Sequence, residues 1–337
     1  MPARYPCTVP PTTPTPTRRR VLRWTGAAAA MSCLPAWSAG NYPNRPIKIV
    51  VPVAAGGGTD FAARLLADKL GPALGQPVIV ENRPGGAGNL GAQLVAESTP
   101  DGYTLVMPIT SFPINPSLYK LGFDTVKDFA PVVLVGTLPL VLVVHPSVAA
   151  RDVKELIQLA KTAPQSVTFA NSGTGTTAHL AGELFNHMAG TRMLGVPYKG
   201  GGPAMSDLLG GHVQVYFSTI PAALPHIQAG KVRALAVTGT ARLPDLPQIP
   251  TVDASGLPGF EVTAWFGLFA PGRTPPAVIQ RLHSELAHIL AMPDVQQRLA
   301  NHGVIPGGGT PESLRDFLAA DMAKWSRVVQ VAGVQVQ

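Results

Sequence analysis

Apolar and polar positions along this chain fall into repeated strand–loop–helix units. Ile47 to Val51 (IKIVV) is rich in β-branched residues, lies between Pro46 and Pro52, and reads as a buried strand. Gly56, Gly57 and Gly58 follow, and then Ala62, Leu65, Leu66 and Leu70 recur on one face at helical spacing. Thr59 or Asp60 can cap this helix, because a side-chain oxygen there accepts from the unpaired N–H groups of the first turn. Further on, Pro77 to Val80 reads as a strand, Asn82 to Asn89 as a glycine-rich turn, and Leu90, Leu94 and Val95 mark a helix. Tyr103 to Met107 is a third strand, with Ser111 to Leu118 just beyond it at the same sheet edge as the glycine loop. Two apolar runs follow, Val132 to Val135 and Leu140 to Val144.

The pattern then repeats. Asp152 and Glu155 have capping-box spacing ahead of a helix faced by Val153, Leu156, Ile157 and Ala160. Val167 to Ala170 is a strand, Asn171 to Thr177 (NSGTGTT) a loop of glycines and hydroxyls, and Leu180, Leu184 and Met188 form the stripe of the next helix. Leu194 to Tyr198 reads as a short strand, with Pro197 placing it at an edge or an end, leading to Lys199 and Gly200 to Gly202. Pro203 and Gly210-Gly211 bracket a short helix, and His212 to Phe217 and Val232 to Val237 are strands around a helix near Pro221 to Ala229. Two long helices, each opened by Thr-Pro (Thr274-Pro275 and Thr310-Pro311), close the chain and are expected to pack back on the first domain. Strands alternating with helices predict an α/β fold with parallel sheets. The expected division is residues 42–145 plus 264–337 for a discontinuous first domain and 146–263 for a second, hinged to close around a ligand.

Composition changes this picture mainly at the amino terminus. The formal charge of the 337 residues is +7. Residues 1–38 hold five arginines and no acid, and taking these from the 26 basic residues leaves 21 against 19 acidic ones. The remainder is close to neutral, which removes the main support for nucleic-acid binding. Arg18-Arg19-Arg20, a short apolar stretch from Trp24 to Leu34, and Ala36-Trp37-Ser38 read as an export signal over residues 1–40, cleaved near 38–40. The paired arginines resemble a twin-arginine signal, with an ordinary secretory leader as the alternative. Both cysteines, Cys7 and Cys33, fall in this leader, so no disulfide is expected after it, and Cys33 fits a lipid-attachment signal poorly.

Four chemistries compete for the two glycine loops. A nucleotide P-loop fails because no Gly-Lys-Ser/Thr follows either one. A dinucleotide site has Gly56-x-Gly58 after a strand, Glu81 ending the next strand, and Gly173-x-Gly175-x-x-Ala178 as a looser match, but Phe61 stands where a third glycine belongs. A hydrolase lacks a Gly-x-Ser-x-Gly elbow, and His179 sits alone on the helix after its loop. The histidines show no metal-ligand spacing, so neither metal nor cofactor is expected. The fourth is an anion clamp, in which both strand–loop–helix units aim N–H groups and helix dipoles into one cleft. Loops rich in Gly, Thr, Ser and Asn suit it. Lys199 is the nearest cation, or else a solvated loop lysine, and Asp60 either caps its helix or also accepts from a ligand.

The stretches Pro46-Ile47, Val51-Pro52, Gly57 to Asp60, Val80 to Gly85, Pro100 to Leu105, His179 to Phe185, Val196 to Gly200 and Asp207 to Gly211 together resemble the Bug family, over about residues 42 to 335. These are substrate-binding proteins of tripartite tricarboxylate transporters. The resemblance implies a two-domain periplasmic-binding-protein (Venus flytrap, type II-like) fold with a ligand cleft between the domains. It implies a monomeric, non-catalytic periplasmic protein that delivers a small carboxylate, such as a di- or tricarboxylate, an acidic amino acid or an aromatic acid, to a membrane transport complex. It places the ligand against Ala54, Ala55, Gly56, Gly57, Gly58, Thr59 and Asp60 on one side, and Asn171, Ser172, Gly173, Thr174, Gly175 and Thr176 on the other. Ser111, His179, Tyr198, Lys199 and Phe217 complete the candidate set. The family often has Phe-Asp-Asn where this chain has Phe217-Ser218-Thr219, and the missing acid points toward a ligand without an amine. The alternatives are a ligand sensor for a membrane receptor and an exported NAD-type oxidoreductase.

Overall fold

The computed structural model describes residues 42–163, 166–243 and 246–332, so the expected export signal, with Cys7 and Cys33, lies outside the described residues. The β-branched run forms β1 (Ile47–Val51), flanked in parallel by β2 (Val78–Asn82) and β3 (Thr104–Val106). The two apolar runs, Val132 to Val135 and Leu140 to Val144, lie in one strand, β4 (Phe129–Val144). A second parallel set consists of β5 (Thr168–Asn171), β6 (Leu194–Pro197) and β7 (Val215–Thr219), with β6 on the edge as its proline predicts. With β8 (Arg233–Val237), β9 (Thr263–Pro271) and β10 (Ile305–Gly308), the order is β2–β1–β3–β9–β4–β7–β5–β6, and β8 and β10 also pair with β4.

Strand direction fixes where the loops go. β3 is antiparallel to β9, and β9 to β4, so β1, β2 and β3 run in the sense of β4. β7 is antiparallel to β4, so β5, β6 and β7 run against it. β4 pairs with β9 up to Pro139 and with β7 and β8 from about Leu140 onward. The carboxyl ends of the two parallel sets therefore point toward the middle of β4 from opposite sides. Ligands bind at that edge in open α/β sheets.

Helices cover the sheet where the spacing predicts. In α1 (Gly58–Leu74) the side chains of Ala62, Ala63, Leu65, Leu66 and Leu70 are at most 1% exposed. Burial stabilises each leucine by about 1.5–3 kcal/mol relative to exposure. In α2 (Asn89–Ala96) the stripe differs from expectation. Leu90 and Leu94 are 61% and 38% exposed, while Val95 is buried as expected, together with Gly91 and Ala92. α3 (Val153–Thr162) starts as the capping spacing predicts: Asp152 Oδ1 accepts from the Glu155 N–H at 2.8 Å. α4 (Thr177–Ala189) lies so close on β5 that a Cβ on Gly182 would sit 2.2 Å from the Phe169 ring, a contact only glycine allows.

α5 (Gly201–Leu209) begins two residues before Pro203, and α6 (Ile220–Gln228) follows β7 directly. The carboxyl-terminal region holds more than two helices. Between α7 (Pro276–Leu290) and the last helix lie the short α8 (Pro293–Ala300) and β10. The last helix, α9 (Pro311–Ala332), packs on the first half of the sheet only through its beginning. Leu314 and Leu318 join the core of Val50, Val106 and Trp265, whereas Trp325, Val328 and Val329 join the core of Val143, Phe169 and Phe185. Trp265 Nε1 donates to Asp321 Oδ2 at 2.8 Å, which fixes α9 to β9 between those two cores.

Candidate functional site

The loop from β1 to α1 is closed by side chains, but not in the expected way. Gly57 is the N-cap and makes no side-chain bond, so neither Thr59 nor Asp60 caps the helix. Both lie inside the first turn, and Asp60 reaches backward instead. Its Oδ2 accepts from the Gly56 N–H at 2.9 Å and from Arg64 Nε at 3.0 Å, and its Oδ1 accepts from Asn82 Nδ2 at 2.9 Å. Asn82 Nδ2 also donates to the Val53 carbonyl at 3.1 Å, and Arg64 Nη2 donates to Asn82 Oδ1 at 3.0 Å. The Arg64 hydrogen bond above all, helped by Gly56 and Asn82, holds the Asp60 carboxyl down to about 2 against the opposing effect of burial. Asp60 is 3% exposed and is spent on loop geometry. Ala54, Ala55 and Gly56 to Gly58 are exposed, and among the described residues the Gly57, Gly58 and Thr59 N–H groups meet no protein acceptor. A Cβ on Gly57 would meet nothing within 4 Å, so open space lies in front of it.

The loop from β5 to α4 has the same geometry with neutral chemistry. Thr176 is the N-cap, and its hydroxyl donates to the Gly173 carbonyl at 2.7 Å and accepts from the His179 N–H at 3.4 Å. Asn171, 1% exposed, accepts from the Gly173 N–H through Oδ1 at 3.0 Å. His179 Nδ1 accepts from the Gly175 N–H at 3.3 Å, which places its proton on Nε2, and burial pushes its pKa down. Ser172 donates to Thr176 Oγ1 at 3.3 Å, while Thr174 is exposed. Among the described residues, the N–H groups of Ser172, Thr174 and Thr177 are left without a protein acceptor.

The strand directions carry both loops to the edge that faces the middle of β4. A side-chain contact agrees: a Cβ on Gly175 would lie 3.8 Å from Leu118 Cδ1, in the segment that follows β3. Ser111, in that segment, is half-buried and donates to the Ala87 carbonyl at 2.8 Å, as Asn115 does at 3.0 Å. These two bonds hold Ala87 at φ 53, in the left-handed region where a residue other than glycine is strained. The glycine-rich turn is thus anchored beside the first loop, where a Cβ on Gly91 would meet Pro52.

The remaining candidates divide. Lys199 is exposed beside the second loop. Tyr198 donates to Asp207 Oδ2 at 2.7 Å, and burial together with this bond pushes its hydroxyl up to about 12. Phe217 does not line an opening. It is 0% exposed and packs with Phe185 and Phe260 at ring centroids 5.9 Å and 6.5 Å away, so its side chain belongs to the core. The structure adds Arg64, Asn82, Asn115 and Asp207 to the residues that fix these loops and the turn beside them. The Asp60–Arg64 spacing of four on a helix was a visible signal for the first of them.

The dinucleotide alternative finds no free ribose acid, since Glu81 is paired with Lys48 and Arg83. Among the described residues no group of three or more His, Cys, Asp or Glu could hold a metal ion, and no helix is long and apolar enough to cross a membrane.

Comparison with known proteins decides the family. Residues 62–334 match the model of the tripartite tricarboxylate transporter family receptor. The chain belongs to this family. Receptors of this kind are substrate-binding proteins of transporters and not enzymes. The chain is 39% identical over 303 residues to Protein BugT of Bordetella pertussis, a match covering 89% of this chain and 93% of that one. Among solved structures it is similar to R. palustris Rpa4515 with adipate (TM-score 0.76, 35% identity, 87% of this chain and 99% of that one). It is also similar to MatC from Rhodopseudomonas palustris with bound malate (TM-score 0.73, 33% identity, 86% and 100%). The fold of this receptor is therefore the α/β periplasmic-binding-protein fold.

Proposed function

We propose that this receptor captures a small organic carboxylate between the β1–α1 and β5–α4 loops, closes on it by a hinge motion, and delivers it to a membrane transport complex. The observation that carries the reading is the convergence of two loops that each present unpartnered N–H groups at the positive end of a helix. Such groups hold a carboxylate without needing a lysine or arginine. The adipate and malate found in the two similar structures support the same ligand class. The lobes in this reading meet along β4, whose first part pairs with β9 and whose last part pairs with β7 and β8, and α9 spans both. A ligand that touches both loops at once binds the closed state better than the open one and shifts the equilibrium toward it. Family membership supports a periplasmic location, which the leader-like residues 1–40 would provide.

A thermal-shift screen of the purified protein against small carboxylates, with NAD and NADP in the same plate, tests the reading. A ligand at a hundred times its dissociation constant adds about 2.7 kcal/mol. In a chain of this size that raises the melting temperature by roughly 2–4 °C per kcal/mol. A rise with one class of carboxylate is expected. A rise with a dinucleotide alone, or with no carboxylate at all, contradicts it.

A further inference from the structure

The segment that follows β3 is rooted in both halves of the sheet. Phe112 belongs to the core of Val50, Val106 and Trp265, with its ring 5.1 Å from that of Phe129 and 5.7 Å from that of Phe269. Two residues later, Ile114 belongs instead to the core of Val143, Phe169 and Phe185, and Leu118 packs against that same core. The chain leaves one core and enters the other within three residues, so this segment is held from both sides. Leu118 Cδ1 also lies 3.8 Å from the place a Cβ would take on Gly175, in the β5–α4 loop.

Between these anchors stands Asn115, buried at 2% exposure. Its N–H donates to the Ser111 carbonyl at 2.8 Å, which closes the turn that carries it. Its side chain reaches the glycine-rich turn before α2. Asn115 Nδ2 donates to the Ala87 carbonyl at 3.0 Å and to Asn89 Oδ1 at 2.6 Å, and the Ser111 hydroxyl donates to the same Ala87 carbonyl at 2.8 Å. Ala87, at φ 53, is the one residue other than glycine with a positive φ among the described residues. Such a conformation persists only where its surroundings hold it. Just beyond the turn, a Cβ on Gly91 would lie 2.8 Å from Pro52 Cβ and 3.2 Å from Pro52 Cα, so the backbone of α2 abuts the residue from which the β1–α1 loop departs. A line of direct contacts thus runs from the second loop through Leu118, Asn115 and Ala87 to Pro52 and the first loop.

We propose that Asn115 is a positioning residue for ligand binding: by holding Ala87 in its strained conformation, it keeps the β1–α1 loop in register with the core that carries the β5–α4 loop. This role rests on the proposed carboxylate site. Without the tether, Ala87 relaxes toward negative φ, the turn shifts, and Pro52 loses the neighbour that sets the direction of its loop. The two sets of N–H donors then no longer meet one ligand without a reorganisation that subtracts from affinity. Asn115 itself touches no ligand in this account.

Calorimetric titration with a carboxylate chosen by the thermal-shift screen tests the proposal. Asn115→Ala should weaken binding by about tenfold, within the range set by the strain of one residue. Ala87→Gly alone should change affinity by less than about threefold, because glycine takes a positive φ without strain. The double variant is expected to bind within about threefold of the unmodified protein, since a glycine turn keeps its shape without the tether. Unchanged affinity in Asn115→Ala overturns the role. So does a double variant as weak as Asn115→Ala, because the loss would then come from general damage to the core. Ala87→Val gives a second route if Asn115→Ala does not fold. Ala87 is exposed, and a β-branched residue disfavours this conformation more strongly than alanine does. Weaker binding by about threefold or more is expected for it, and unchanged affinity overturns the role while leaving the carboxylate site standing. If the unmodified protein binds no carboxylate, the site itself falls and the role of Asn115 with it.

Discussion

The β1–α1 and β5–α4 loops reach one geometry by different chemistry. The first has a bare glycine at its N-cap and is tied by an ionised aspartate to a guanidinium and an amide. The second is capped by a threonine hydroxyl and tied by a neutral imidazole and the Asn171 amide. Both leave N–H groups of the helix start open. The requirement is therefore a fixed loop that keeps its donors free, and the residues that fix it are interchangeable in kind. The difference matters for response to pH and to mutation: the first loop stakes its shape on one charge, the second on several neutral bonds.

The largest expected effect comes from filling the open side of the first loop. Gly57 has φ −83 and free space around its Cβ position, so Gly57→Val is accepted by the backbone and blocks the cleft. Carboxylate binding should become undetectable by calorimetry while the melting temperature changes little, since a β-branched N-cap in place of glycine costs about 1 kcal/mol. Retained affinity would break the clamp.

Asp60→Asn comes next. It should destabilise the protein by about 2 kcal/mol in denaturant unfolding, the range for a hydrogen bond to a charged group. Because the Asp60 pKa is depressed in the folded state, its contribution is complete above the unfolded value near 3.9 and is lost as pH falls toward about 2. The variant should therefore flatten the stability profile between roughly pH 4 and pH 2.

Thr176→Ala removes the corresponding device of the second loop, and should cost about 1 kcal/mol, with no change in the acid-limb profile. His179 shows the other pH window. Burial lowers its pKa, so the unfolded chain takes up the proton first, and stability falls as pH drops below roughly 6.5. Protonation also places a hydrogen on the nitrogen that accepts from Gly175. His179→Gln should flatten the profile between pH 7 and 5 and leave the lower window untouched. Equal slopes in both variants would erase the distinction between the loops. The smallest effect is expected for Lys199→Ala, which should weaken binding by about 1 kcal/mol. A loss beyond about 3 kcal/mol, more than a charge-assisted hydrogen bond contributes, would mean that a cation and not N–H groups holds the ligand.

Much of this arrangement was legible in the sequence, for physical reasons that differ by element. The β-branched run at Ile47 to Val51, followed by three glycines and a leucine stripe, carries its own periodicity, as does the unit after Thr168. β4 was not legible as one strand, because Gly136 and Pro139 interrupt its apolar pattern. The structure explains the glycine: a Cβ at Gly136 would lie 2.5 Å from Val304 and 2.7 Å from the Ile305 carbonyl, where β10 crosses. β10 itself (Ile-Pro-Gly-Gly) has no strand signature and exists only through that pairing. α8 buries just Val295 and Leu299, too sparse a stripe to announce a helix. In the site, the loops could be found from their glycines, but the Asp60–Arg64–Asn82 network joins residues of two elements whose approach follows from β1 pairing with β2. Phe217 was misplaced because a strand that ends at a cleft still points alternate side chains into the core.

The most direct test of the central claim is amide hydrogen exchange with and without a saturating carboxylate chosen by the thermal-shift screen. The two-loop account predicts that the amides of Gly57 to Thr59 and those of Ser172, Thr174 and Thr177 gain protection together, at the same ligand concentration. Protection confined to one loop, or appearing only elsewhere in the chain, would contradict it.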